Sequence, residues 1–368
     1  MGQSFYPLGT FPGSEGYASA AFGVSADGTF VAGRAGSSGP DEAVRWTADG
    51  GLVGLGVLPA TRPGSIAYGI SGDGSVLVGG VSVGTSGRGF RWTETRGYQT
   101  LAGRDASEAT SAWAISNDAQ WTVGAVGDRS TRQAARWSAD GALEILSEVP
   151  AGNESYAFGV SGDGSRVVGA GRFEIAPGQP FPTLEAYRWT DGDDRPPTLD
   201  RLGWLATPTS GRIFESQALD TSDDGRVVTG YSTSELSTWE AFRWDEDNGM
   251  VGLGLLDGGN DSRARAISAD GSAIVGVASD RFGDNQAFLW TRAGGMRTVE
   301  DVLFEDFGVM IPDGWRLLSA EDISADGRTI VGYAENADGV FEGFVATVPA
   351  PATLAPLGLA LAALRRRR

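Results

Sequence analysis

The sequence contains no cysteine and no histidine. The first absence removes disulfides and thiolate nucleophiles, and the two together remove imidazole bases and the common zinc sites. A basic patch is missing too. Lys and Arg number 29 against 47 Asp and Glu, for a formal net charge of −18, and the one dense run of cations is Arg365 to Arg368. A plain nucleic-acid binder carries a basic face, so nucleic acid is not an expected partner. The acidity fits solubility, or attraction of cations and basic partners. No charged-then-apolar leader precedes the first repeat, and Met1-Gly2-Gln3-Ser4-Phe5-Tyr6 lacks the hydroxyl residue that myristoylation requires.

What is abundant is glycine, 56 residues of 368, without the three-residue period of collagen. Hydrophobic residues make up 41%, enough for a packed fold. The glycines belong to a repeat whose clearest copy is Ala157-Phe158-Gly159-Val160-Ser161-Gly162-Asp163-Gly164-Ser165-Arg166-Val167-Val168-Gly169. Two β-prone runs flank a Ser-x-Asp-Gly turn, a strong hairpin signal. The same serine recurs at Ser25, Ser71, Ser116, Ser222, Ser268 and Ser324, with successive gaps, Ser161 included, of 46, 45, 45, 61, 46 and 56 residues. A period near 45 in a β-rich chain marks a repeat architecture.

Each repeat adds an aromatic strand, as in Ala186-Tyr187-Arg188-Trp189-Thr190, and a Gly-led apolar strand, as in Gly249-Met250-Val251-Gly252. Four strands and four connections consume about 44 residues, one blade of a β-propeller. The seventh aromatic strand, Gly343 to Thr347, has no Gly-led strand after it, and Phe5-Tyr6-Pro7-Leu8-Gly9-Thr10 stands alone at the start. The expected fold is therefore all-β: a seven-bladed propeller of four-stranded antiparallel blades over residues 1–347. The N-terminal strand completes the last blade and removes the open edge. A stacked solenoid is the alternative, but it needs capping repeats.

The recurring Trp residues read as anchors between blades, and the Arg beside them as partners of turn carboxylates. The turn aspartates Asp27, Asp73, Asp118, Asp163, Asp224, Asp270 and Asp326 read as acceptors of backbone N–H groups, not as metal ligands. Asp245 to Gly249 resembles a calcium loop but fails its spacing. The long insertions, Gly171 to Leu184, Leu205 to Glu215 and Leu303 to Ser319, fall in the two loop classes that open on one face. Binding residues concentrate on such loops. The ligand-face candidates there are Glu15, Arg62, Glu154, Arg212, Glu215, Asp261, Arg263 and Trp315. They form no catalytic set.

The remainder, 348–368, reads as a sorting tail. Val348-Pro349-Ala350-Pro351-Ala352-Thr353 leads into an apolar run that ends at Leu364, followed by Arg365-Arg366-Arg367-Arg368. The 11 residues from Leu354 to Leu364, broken by Pro356, fall short of the ~20 that span a bilayer. Transient membrane association through the tail is expected, with the arginines on the cytoplasmic side.

The tail resembles the PEP-CTERM signal processed by exosortase, with Ala350 where the family name records Glu. The repeats resemble the HAF family of extracellular repeats in Ala-x-x-Ile/Val-Ser-x-Asp-Gly-x-x-x-Val-Gly and the Arg-Trp strand. Trp315 to Gly332 matches the usual last repeat of that family. The resemblance implies an exported bacterial surface protein, such as one of an exopolysaccharide or biofilm matrix, with an exosortase-like membrane enzyme acting on its tail. Export would then need a leader encoded upstream of Met1. The family carries no established activity. Three functions are expected in turn. One is a non-catalytic, monomeric module that binds glycan or protein and needs no cofactor. The second is an extracellular glycosidase or lyase using paired carboxylates in the mouth of the ring. The third is a calcium-dependent adhesin.

Overall fold

A computed structural model describes residues 4–14, 16–36, 40–56, 64–83, 86–128, 132–146, 154–173, 183–192, 196–206 and 214–348. The strands form seven antiparallel sheets of four. Blades 1 to 6 are contiguous in sequence, at residues 19–54, 65–100, 110–145, 155–203, 216–252 and 262–298. Blade 7 takes three strands from residues 316–347 and its fourth from Ser4–Pro7. The register of that closing pair is Phe5 with Ala346 and Tyr6 with Val345. Phe5 stacks on Phe344 at 5.9 Å, and Leu8 is buried with its N–H donating to Gly343 O at 2.7 Å. The chain is a seven-bladed propeller closed by its N-terminal strand, as the split repeat predicts.

The repeat residues explain the ring. In each turn the Ser hydroxyl donates to the Asp two residues on, for example Ser25 to Asp27 and Ser161 to Asp163, both at 2.7 Å. Each hydroxyl then accepts a backbone N–H five residues on, as from Phe30 and Arg166 at 2.9 Å. The turn aspartates are therefore internal acceptors. The residue after each turn serine joins a collar around the axis. Ala26 donates to Gly72 O, Gly72 to Asn117 O, Gly162 to Asp223 O, Asp223 to Ala269 O, Ala269 to Ala325 O and Ala325 to Ala26 O. In the remaining gap Asp118 N–H donates to Gly162 O at 3.3 Å.

A second set of bonds joins blades further out. In blades 1 to 5 and in blade 7 the N–H that opens the aromatic strand donates to a buried hydroxyl at the start of the next blade. Examples are Ala134 to Ser155 Oγ at 2.9 Å and, across the closure, Gly343 to Ser19 Oγ at 3.1 Å. Between blades the Trp residues fill the gap. Trp137 and Trp189 are fully buried. An aromatic of this size buries about 200 Å², worth on the order of 5 kcal/mol. Arg136 lies over Trp189 of the next blade at 4.6 Å and pairs with Glu144 at 2.7 Å and Asp191 at 2.6 Å. Arg188 repeats this with Trp244, Asp200 and Glu246. These arginines are interblade fasteners.

Two local departures from regular strand and turn geometry stand out in the blades. The first strand of every blade carries a bulge, leaving Phe22, Tyr68, Trp113, Phe158, Leu219, Arg265 and Glu321 unpaired. The Val-Gly glycine of the second strand permits this close approach: a Cβ at Gly169 would lie 1.8 Å from Tyr156 O. Bulges re-aim side chains. The other departure is Ala119, which replaces the turn glycine and holds φ at +60°. Ala119→Gly is expected to stabilise the protein by about 1 kcal/mol, read as a higher midpoint in urea unfolding.

The insertion before blade 7 is partly helical. Thr298 caps a helical turn, Val299–Asp301, by accepting the Asp301 N–H at 3.0 Å, and a π-helical turn, Val302–Asp306, comes next. Val302 and Leu303 bury beside blade 7. Among the described residues no helix is long and apolar enough to cross a membrane.

Candidate functional site

The seven first strands surround a central cavity of about 180 Å³, lined by every blade. At the turn end the collar narrows it. There Asn117 Nδ2 donates to Asp223 Oδ1 at 2.6 Å, reaching past Gly162 of the intervening blade. Away from the collar the bulges set the lining. Blades 1 to 4 supply aromatic bulge residues: Phe22 meets Tyr68 at 5.6 Å between ring centres, and Trp113 meets Phe158 at 5.2 Å. Phe22, Tyr68 and Phe158 line the cavity, and Trp113 shares with Tyr68 an adjoining pocket of about 440 Å³ between blades 2 and 3. Blades 6 and 7 instead supply Arg265 and Glu321. One arc of the ring is aromatic and the other is charged.

The residue after each bulge reads Gly23, Gly69, Ala114, Gly159, Asp220, Ala266 and Asp322. Small residues hold this position in five blades, and carboxylates interrupt the column in blades 5 and 7. The Ile267 N–H donates to Asp220 Oδ2 at 2.9 Å, and the Val24 N–H donates to Asp322 Oδ2 at 2.7 Å. Each carboxylate thus holds the next blade's first strand. Neither has an ion-pair partner among the described residues. Both keep a narrow opening to the cavity, yet the protein packed around them strips away most of their water. Burial pushes the Asp220 carboxyl up to about 7. Burial, and then the charge of Asp220, pushes Asp322 up to about 8. Arg265 Nε lies 3.9 Å from Glu321 Oε2, beyond hydrogen-bond reach, and is buried with no hydrogen-bond partner among the described residues. Glu321 is fixed by the Ser319 hydroxyl at 2.5 Å.

The loop-face candidates fare differently. Glu15, Arg62 and Arg212 lie outside the described residues, as do Pro349 to Thr353 and Arg365 to Arg368 of the tail. Val348 is buried and donates its N–H to Arg328 O at 2.7 Å. Glu215, Asp261 and Arg263 come together around Tyr231, whose hydroxyl burial holds above the usual phenol range. Arg263 pairs with Asp261 at 3.0 Å and lies 5.9 Å from the Tyr231 ring centre and 5.8 Å from that of Trp239. Glu154 pairs with Arg172 at 3.2 Å. Trp315 meets Phe5 edge-on at 5.6 Å and packs against the blade 7 core, so its role there is to hold the closing strand. Asp245 accepts from Asn248 N–H and Nδ2 at 2.8 and 2.7 Å, an internal turn. Among the described residues no three acidic side chains converge as a metal site.

The loop-based reading missed Asp220, Asp322, Arg265 and the aromatic arc. The signal was present in the aligned repeats, as Ala218-Leu219-Asp220-Thr221-Ser222 and Ala320-Glu321-Asp322-Ile323-Ser324 against a column of glycine and alanine.

No family model matches the chain, and no curated protein matches it. Solved structures do. The oligogalacturonate lyase of Vibrio parahaemolyticus is 13% identical, with a TM-score of 0.62 over 95% of this chain and 98% of that one. The β-propeller domain of the Trilobed protease from Pyrococcus furiosus, described as having an open velcro topology, is 13% identical, with a TM-score of 0.57 over 90% and 96%. An oligogalacturonate lyase in complex with manganese is 12% identical, with a TM-score of 0.56 over 95% and 98%. At this identity the likeness is one of fold.

Proposed function

We propose that this chain is a non-catalytic binding module of a bacterial surface or extracellular matrix that holds a saccharide at the mouth of its central cavity. The observation that carries the reading is the divided lining: Phe22, Tyr68 and Phe158 on one arc, with Trp113 packed against Phe158 at the adjoining pocket, and Arg265 and Glu321 on the other. Sugar rings have apolar faces that pack on aromatic rings, while their hydroxyls need a few placed polar groups. The Arg265 guanidinium, partly exposed at the cavity wall, is such a group. The resemblance of the tail to an exosortase signal supports export to the surface, with an exosortase-like enzyme as the tail's partner.

A glycan array followed by calorimetry tests the module. Trp113→Ala and Phe158→Ala are each expected to weaken the best glycan by roughly tenfold, about 1.4 kcal/mol, with the fold retained. No ligand under any condition counts against it.

A second reading has one specific support. Two carboxyls with raised pKa in a partly enclosed cavity are what glycoside hydrolysis uses. Release of reducing ends from a bound glycan, lost in Asp220→Asn and Asp322→Asn, would move the chain into that class. Binding without turnover keeps it a module.

A further inference from the structure

We propose that the central cavity takes a primary ammonium carried on a sugar ring, an amino sugar with its nitrogen free, seated against Asp220 and Asp322. The proposal rests on the saccharide reading and names its ligand class.

The groups lining the cavity carry it. The titratable side chains facing it from every blade are Tyr68, Asp220, Asp223, Arg265, Glu321 and Asp322. Four are acids and one is a cation. Asp223 is engaged by Asn117, and Glu321 by Ser319 and the nearby Arg265. Asp220 and Asp322 have no such partner. They receive backbone N–H groups, which leave lone pairs on each carboxylate. A buried carboxylate without a counter-charge is costly, and a bound cation removes the cost. An ammonium offers three donors and no acceptor, which suits a site made of acceptors.

The rest of the lining selects the body of the ligand. The aromatic arc offers π-faces to a cation and to the C–H face of a pyranose. The partly exposed guanidinium of Arg265 offers donors to a ring hydroxyl. A cavity of about 180 Å³, narrowed at its far end by the collar, suits a terminal sugar and not a chain running through. Near neutral pH the two carboxyls retain protons, because each titrates well above an ordinary aspartate. Seating a cation between them ionises them, so binding releases protons to the buffer.

Titration calorimetry at pH 7 with glucosamine, N-acetylglucosamine, glucose and putrescine, repeated in buffers of different ionisation enthalpy, tests the site. Glucosamine is expected to bind at least ~10-fold more tightly than N-acetylglucosamine, releasing about one proton per ligand. In Asp220→Asn/Asp322→Asn both the preference and the proton release disappear. Each Asn keeps an oxygen for its N–H partner, and a thermal melt verifies folding. Equal affinity for the two amino sugars, or an unchanged preference in the double variant, overturns the ammonium site and leaves the saccharide reading standing. Putrescine binding with proton release, while no sugar binds, keeps the ammonium site and removes the saccharide reading. No binding of any of the four at millimolar concentration overturns both.

Discussion

Between about pH 5 and pH 9 the protein is expected to lose on the order of 4 kcal/mol of unfolding free energy, most of it through Asp220 and Asp322. Their carboxyls stand at about 7 and about 8 in the fold against 3.8 when exposed. Above about pH 4 the unfolded chain has released protons that the fold retains. The unfolded state then binds fewer protons, so stability falls as pH rises, until both groups ionise near pH 8. The full shifts would give a larger figure, but the two groups titrate as a pair and keep some access to water in the cavity. The turn aspartates act at the other end. The Ser71 hydroxyl holds Asp73 below the usual range, and the Ser272 hydroxyl heads the causes that do the same for Asp270. Their contribution is present above about pH 4 and is lost as pH falls through their lowered pKa. Stability therefore peaks in mildly acid solution. Urea unfolding across the pH range reads this directly. Asp220→Asn/Asp322→Asn flattens the alkaline limb and is more stable than wild type at pH 9. A wild-type profile that stays flat or rises from pH 5 to 9 contradicts the account.

Removing residues 1–8 is expected to lower stability by on the order of 5 kcal/mol, read as a fall of roughly ten degrees in the thermal midpoint. The loss has two parts. Leu8 is buried between blades 7 and 1, and Phe5 packs on Phe344 and Trp315. Without them Phe344 and Val345, both buried, face water. The third strand of blade 7 then becomes an open edge, which recruits other chains. Light scattering should show association that the full chain lacks. A truncated protein that melts at the wild-type temperature as a monomer would mean the strand contributes nothing.

Most of the architecture was legible because the repeat is physical at each position. Asp-Gly sets the turn, and Trp fills the gap between blades. The split of the last repeat between Phe5 to Thr10 and Gly343 to Thr347 identified the closing strand, since an unpaired edge has to find its partner. The helical turn at Val299–Asp301 was hidden because a Gly-led strand runs straight into it; Thr298 followed by Glu300 and Asp301 was its only local mark. Another regularity has no local mark at all. Glu42, Glu185, Glu240 and Glu342, each just before the Ala or Gly that opens an aromatic strand, accept backbone N–H groups from Gly56, Gly203, Gly254 and Gly9. This is a tertiary bond to a residue at or just beyond the end of the fourth strand, and no short pattern announces it.

The site was harder for a related reason. Loops vary and carry function, which points to Glu154, Glu215, Asp261 and Arg263, and these prove to sit in ion pairs or beside Tyr231. The departures on which the proposed site rests lie instead inside the bulged first strand of the blade. Asp220 and Asp322 interrupt a column of glycine and alanine. Their meaning depends on the ring, because only closure brings blades 5 and 7 to the same cavity.

The whole arrangement depends on that closure, and a cross-link tests it most directly. The chain has no cysteine, so Phe5→Cys/Ala346→Cys gives one defined pair. These residues face each other across the closing strands, and the Leu8 N–H bond to Gly343 O puts them in the closer, non-hydrogen-bonded class of pair. A closed ring predicts near-complete disulfide formation under mild oxidation, seen as loss of alkylation in the denatured, unreduced protein. Phe5→Cys/Val251→Cys, with its second cysteine on the outer strand of blade 5, should stay reduced. Free thiols in the first variant, or equal cross-linking in both, would contradict it.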